Sequence, residues 1–186
     1  MKLNRYADDY ETVVEVDEKG KERKKARYKG EYFTVMLDAD SIKNYRNNSL
    51  LIGIGAVLAH IGAGCFTNAG MYQFYIAVPY VAAFFPLLYL MFSVFRLPSE
   101  KKQMTRDEVG LSFDRIRPSS LGAMILSATC ALGELIFLIV VKSEVPFQEL
   151  PCFGLEAVTA ALCYLMLYTR SRIRIESTAK TEKSKG

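Results

Sequence analysis

Residues 74–95 read FYIAVPYVAAFFPLLYLMFSVF, twenty-two positions without one charged side chain. Coiled as an α-helix at 1.5 Å per residue, this block is roughly 33 Å long, enough to cross a hydrocarbon layer of ~30 Å. Three further blocks share its character: 50–67 (LLIGIGAVLAHIGAGCFT), 121–141 (LGAMILSATCALGELIFLIVV) and 150–168 (LPCFGLEAVTAALCYLMLY). Only His60, Glu134 and Glu156 interrupt them. Core helices of a soluble bundle would carry a polar face at helical spacing, and these blocks are apolar nearly all round. The expected fold class is therefore all-α integral membrane, a four-transmembrane-helix bundle with a small N-terminal β segment. Some fifty mostly polar residues precede the first block, so it reads as a full span and no leader is expected to be cleaved.

Lysine and arginine resist translocation and set orientation. Residues 1–48 hold eleven, the 96–118 loop six, and the segment from 169 onward six; the two connections at the other end hold only Lys142 of the 24. Both termini and the middle loop are expected on the cytoplasmic side of the cell membrane. The formal charge of +4 then reflects topology and attraction to anionic headgroups, and no nucleic-acid partner is inferred. The four cysteines lie in or at the ends of the spans without CxxC or zinc-ribbon spacing. Cys65 and Cys152 fall near the outer ends of spans one and four, where a disulfide is conceivable, but packing as two unpaired thiols is the expectation.

The chain divides into a cytoplasmic β-hairpin or three-stranded segment (1–38), a juxtamembrane interfacial segment (39–48), the bundle (49–168) and a disordered tail (169–186). Tyr10 to Asp17 and Lys21 to Lys29 flank a turn containing Gly20. Charge sets the register: Glu15 would face Arg23, Glu11 Arg27 and Asp9 Lys29, with Tyr10 opposite Tyr28. The basic strand residues Lys21, Arg23, Lys24, Lys25, Arg27 and Lys29 are candidates for lipid or partner contact. Residues 31–37 are expected to add a third strand, and Asp40 to cap a short helix carrying Ile42 and Tyr45. A weak repeat joins Asp40-Ser-Ile42-Lys to Asp114-Arg-Ile116-Arg, each followed by a Ser-Leu pair (Ser49-Leu50, Ser120-Leu121); two tandem helical hairpins of parallel orientation and chance similarity account for it equally well.

Ionisable groups inside hydrocarbon cost several kcal/mol unless paired, neutral or wet, so they are the default candidates for function. His60 shares a helix face with Gly53, Ala56, Ala63, Gly64 and Thr67. Glu134 shares one with Ser127, Cys130 and Ala131, and Glu156 with Cys152, Thr159, Ala160 and Cys163. All three lie at similar depth and could meet at one level; the readings left open are a proton- or cation-linked site, a metal site with Cys130 and Cys152 (Cys-x3-Glu occurs twice), interhelical hydrogen bonds that fix register, or a Glu lying shallower and solvated. Pro79 and Pro86, seven apart on one face of span two, release two backbone carbonyls and mark a candidate hinge. No P-loop, GxSxG elbow or HExxH pair is present, and Gly53-x-Gly55 lies within a span; no catalytic residue, cofactor or metal is assigned.

These observations favour a non-enzymatic membrane subunit or scaffold, acting through its helices and hairpin in a homo-oligomer or heteromeric membrane complex. The alternative is a small oligomeric transporter or channel with His60, Glu134 and Glu156 lining its path.

Overall fold

The computed structural model describes residues 9–16, 22–66, 68–100, 103–141 and 146–177. Four helices are long and apolar enough to cross a membrane, and they carry only small antiparallel strands beside them. Helix α1 spans Ala39–Gly64, α2 Phe74–Phe95, and α4 Phe113–Val141; α5 spans Pro146–Ser171, and a short α3, Arg106–Leu111, precedes α4. In each candidate span no more than 39% of the most apolar window is buried. Leu51, Phe85 and Ile139 point outward, leaving an apolar girdle far larger than water-soluble monomers display.

Consecutive spans run in opposite directions, with α2 and α5 both touching α4, and α5 also touching α1. At the end rich in Lys and Arg, Ile42, Leu90, Val94, Phe113, Ile116 and Met166 form one buried cluster. Mid-bundle, Ala56, Leu87, Ala123 and Cys163 form a second. Small residues bring the helices close: a Cβ at Gly133 of α4 would sit 2.9 Å from Ile76 Cγ1 of α2. Gly133→Leu is accordingly expected to cost about 1–3 kcal/mol through overpacking, read as a lower midpoint of unfolding in detergent.

The burial patterns of α1 and α4 can be set beside the Asp40 and Asp114 motifs. Ile42, Ser49, Gly53, Ala56, His60 and Ala63 of α1 are buried, and so are Ile116, Ala123, Ser127, Cys130, Glu134 and Phe137 of α4, each 74 residues further on. The Asp40 and Asp114 motifs obey the same offset, whereas the Ser-Leu pairs do not. In this frame His60 and Glu134 are equivalent positions.

At the basic end, β1 (Tyr10–Val16) pairs antiparallel with β2 (Glu22–Tyr28) in the register that charge predicts, with Glu11 opposite Arg27 and Tyr10 opposite Tyr28. The Lys29 N–H donates to the Asp9 carbonyl at 2.9 Å. The turn, with Lys21, lies outside the described residues, as does the side chain of Arg23. Residues 31–37 depart from expectation. Strand β3 (Phe33–Val35) does not extend the hairpin; it pairs with β4 (Ile175–Ser177) and bridges Phe33 to Met104 of the middle loop. The tail expected as disordered thus supplies three strand residues, because Val35, Met104 and Ile175 bury apolar surface together that none could bury alone. Helix α1 also starts earlier than Asp40: Asp38 is its cap, its carboxylate accepting the Ser41 N–H at 3.0 Å.

The hairpin is held by two tyrosines. Tyr10 donates to Asp107 Oδ1 at 2.8 Å, and the Tyr28 hydroxyl accepts the Arg106 N–H at 3.1 Å. The bond to Asp107, together with burial, raises the Tyr10 phenol above 10.0. A group whose folded value is raised contributes its stability below the unfolded value and loses it as pH climbs through the folded one. Docking through Tyr10 is therefore intact below pH 10 and is released only as pH climbs through the raised folded-state value. Tyr10→Phe is expected to accelerate tryptic cleavage within β2 about three-fold at pH 8, a hydrogen bond at a partly solvated site being worth ~0.5–1 kcal/mol. Unchanged cleavage would mean that the hairpin is held elsewhere.

Candidate functional site

The three ionisable span residues are fully buried toward the end of the bundle opposite the Lys/Arg-rich one. His60 is placed by the small stripe of α1: Gly53, Ala56 and Ala63 are buried with it, although Gly64 is exposed, and Thr67 lies outside the described residues. The absence of bulk on that stripe lets α5 approach until His60 Nδ1 lies 2.8 Å from Glu156 Oε1, the two side chains 1% and 0% exposed. One proton lies in this contact, on the ring nitrogen or on the carboxyl oxygen. One helical turn toward the basic end, Thr159 Oγ1 donates to the Leu155 carbonyl at 2.9 Å and reaches the Ala56 carbonyl of α1 at 3.5 Å, fixing the same helix pair.

The imidazole is boxed by aromatic rings of α2. Tyr80 and Phe84 each place a ring centroid 4.5 Å from that of His60, and the Tyr80 hydroxyl donates to the His60 carbonyl at 3.1 Å. A Cβ on Gly64 would collide with that hydroxyl, which is why a glycine is needed there.

Glu134 does not join this pair directly. Its Oε1 accepts from Asn68 Nδ2 at 3.2 Å and from Cys152 Sγ at 3.5 Å. Cys152 stands one turn before Glu156 on α5, so the two acids flank it. At this level His60 and Glu156 form one bonded pair, with Glu134 as a neighbouring acid. His60 Nε2, Glu134 Oε2 and Glu156 Oε2 are buried and make no hydrogen bond among the described residues. Among the described residues, no three of His, Cys, Asp and Glu gather in a way that would hold a metal ion.

Two contributors escaped the sequence reading. Glu149, 2% exposed at the start of α5, accepts the Ala69 N–H at 2.9 Å and the Gly70 N–H at 3.3 Å. Asn68 accepts the Met71 N–H through Oδ1 at 2.8 Å, opening the 3-10 turn Gly70–Tyr72 while its amide serves Glu134. An Asn two residues before a glycine is an available turn signal; nothing local marks Glu149. Gly70 lies so close to Glu134 that any Cβ would meet its carboxylate.

A cleft of about 340 Å³ opens beside the cluster, lined by Phe66, Asn68, Tyr72 and Tyr80 among others. Asn68 and Tyr80 form the partition between it and the acids. Toward the basic end the core is closed by the apolar clusters described above, with the buried hydroxyls of Ser49, Ser93, Ser120 and Ser127 dispersed among them.

The other candidates fall apart from this centre. Helix α2 runs unbroken through both prolines; Pro79 is buried and Pro86 packs against Gly122 of α4. All four cysteines are free, Cys65 exposed and Cys152 buried, so they form no disulfide. Lys24, Lys25, Arg27 and Lys29 are exposed on the hairpin. No family model, curated protein or solved structure matches the chain.

Proposed function

We propose that the chain is a non-enzymatic multi-pass membrane subunit whose bundle supports a cytoplasmic docking platform for a partner. One observation carries this reading: three segments distant in sequence are knitted into a single unit at the basic end. Strand β3 is bonded to β4 on one side and to Met104 on the other, and Tyr10 and Tyr28 fasten the hairpin to α3. Beyond the apolar burial this assembly provides, a rigid platform offers a partner a preorganised surface. Positive-inside asymmetry puts the platform in the cytoplasm. Deleting residues 1–30 removes the hairpin yet spares β3, so the bundle should still fold. Native purification is expected to lose a heterologous partner on this deletion; co-purification unchanged by it would defeat the proposal.

A second reading is favoured by the His60–Glu156 contact with its unbonded neighbours: a small oligomeric transporter or channel with a proton- or cation-linked site. Its expected signature is flux in reconstituted vesicles that Glu156→Gln and Glu134→Gln abolish while leaving assembly intact.

A further inference from the structure

We infer that the groove between α4 and α5 at the basic end seats one anionic phospholipid. The groove has a volume of about 640 Å³ and differs in character from top to bottom. Its rim carries Arg117, exposed on α4, and Arg170, held in place on α5. Arg170 is anchored rather than free: Nε donates to the Phe113 carbonyl at 2.8 Å, Nη1 donates to the Ile173 carbonyl at 3.1 Å, and the guanidinium lies 5.5 Å from the centre of the Phe113 ring.

What remains of that guanidinium is under-used. Among the described residues its Nη2 reaches only Asp114 Oδ1, at 3.7 Å, well beyond the ~2.7–2.9 Å of a good charge-assisted bond. Its side chain is 17% exposed, whereas that of Asp114 is 66% exposed and solvated. Two arginines against one distant carboxylate leave the rim with a net positive charge and a preorganised donor edge suited to a phosphate.

Deeper in the groove the lining turns apolar. Leu121 is 43% and Tyr164 61% exposed, and Leu167 completes the wall. Leu121 lies one turn beyond Arg117 along α4, in the direction of the span. A headgroup phosphate at the rim would therefore lead its acyl chain along Leu121 and Tyr164. A soluble phosphate would satisfy only the rim and leave the apolar wall open, and that decides for a lipid. The assignment rests on the reading that the four helices lie in a bilayer.

The test uses the full chain, purified in neutral detergent and offered equal phosphatidylglycerol and phosphatidylcholine, with native mass spectrometry counting the lipids retained. Wild type is expected to keep one phosphatidylglycerol in preference. Arg117→Gln should reduce that preference about five-fold, the worth of one basic residue at a membrane surface. Asp114→Asn should increase it. The triple variant Lys24→Gln/Lys25→Gln/Arg27→Gln should leave it unchanged, and excess glycerol 3-phosphate should not displace the lipid. The inference is overturned if Arg117→Gln retains the full preference, if the hairpin variant lowers it as much, or if glycerol 3-phosphate competes. Extraction of the chain from membranes by carbonate would instead sink the bilayer reading itself, so the two failures are distinguishable.

Discussion

Replacing His60 with leucine is expected to destabilise the bundle by about 3 kcal/mol, because the change strands Glu156 in a fully buried site. The imidazole is hydrogen-bonded to Glu156 Oε1 through Nδ1, and Glu156 Oε2 has no hydrogen-bond partner among the described residues. The double variant His60→Leu/Glu156→Leu should recover most of the loss, since removing both members of a buried polar pair leaves apolar surface and no orphan. Glu156→Gln keeps a hydrogen-bonding group at the same place and should cost no more than ~1 kcal/mol, the range of interhelical bonds in membranes. Equilibrium unfolding in mixed micelles measures all three. If the double variant is as unstable as the single, the pair is not energetically coupled and the geometry has been over-read.

A comparable loss, about 3 kcal/mol, is expected from Glu149→Ala. That carboxylate accepts two backbone N–H groups, from Ala69 and Gly70, and each charge-assisted bond is worth ~1.5 kcal/mol or more. Its removal uncaps the turn that carries Asn68, so the loss should propagate to the Asn68–Glu134 contact. Glu149→Gln, with one acceptor oxygen, should lose about half as much. Faster amide exchange at Ala69 and Gly70 in the alanine variant is the local signature. If those amides stay protected while global stability falls, Glu149 acts through something other than this cap.

Much of this architecture could be read from residue order alone, for physical reasons that differ by element. Span length and composition are local properties, so 74–95 was legible to the residue, and α2 occupies those positions. Hairpin register followed from cross-strand charge, also a short-range matter. The inward faces of His60, Glu134 and Glu156 were legible because helical spacing places them among small residues. Span ends were less so: α4 begins at Phe113, eight residues before its apolar block, since Phe113 and Ile116 continue the helix into the cluster at the basic end.

What required the tertiary structure are the partnerships across large separations. No local pattern reveals that Ile175 lies against Val35 or that Glu149 caps a turn some eighty residues away. Nor does any local pattern reveal that His60 chooses Glu156 over Glu134. Chain order thus determined which residues leave water and which face each presents inward. Only packing decided which buried groups meet, because that depends on which helices become neighbours, and helices 96 residues apart at their contact carry no mutual mark in sequence.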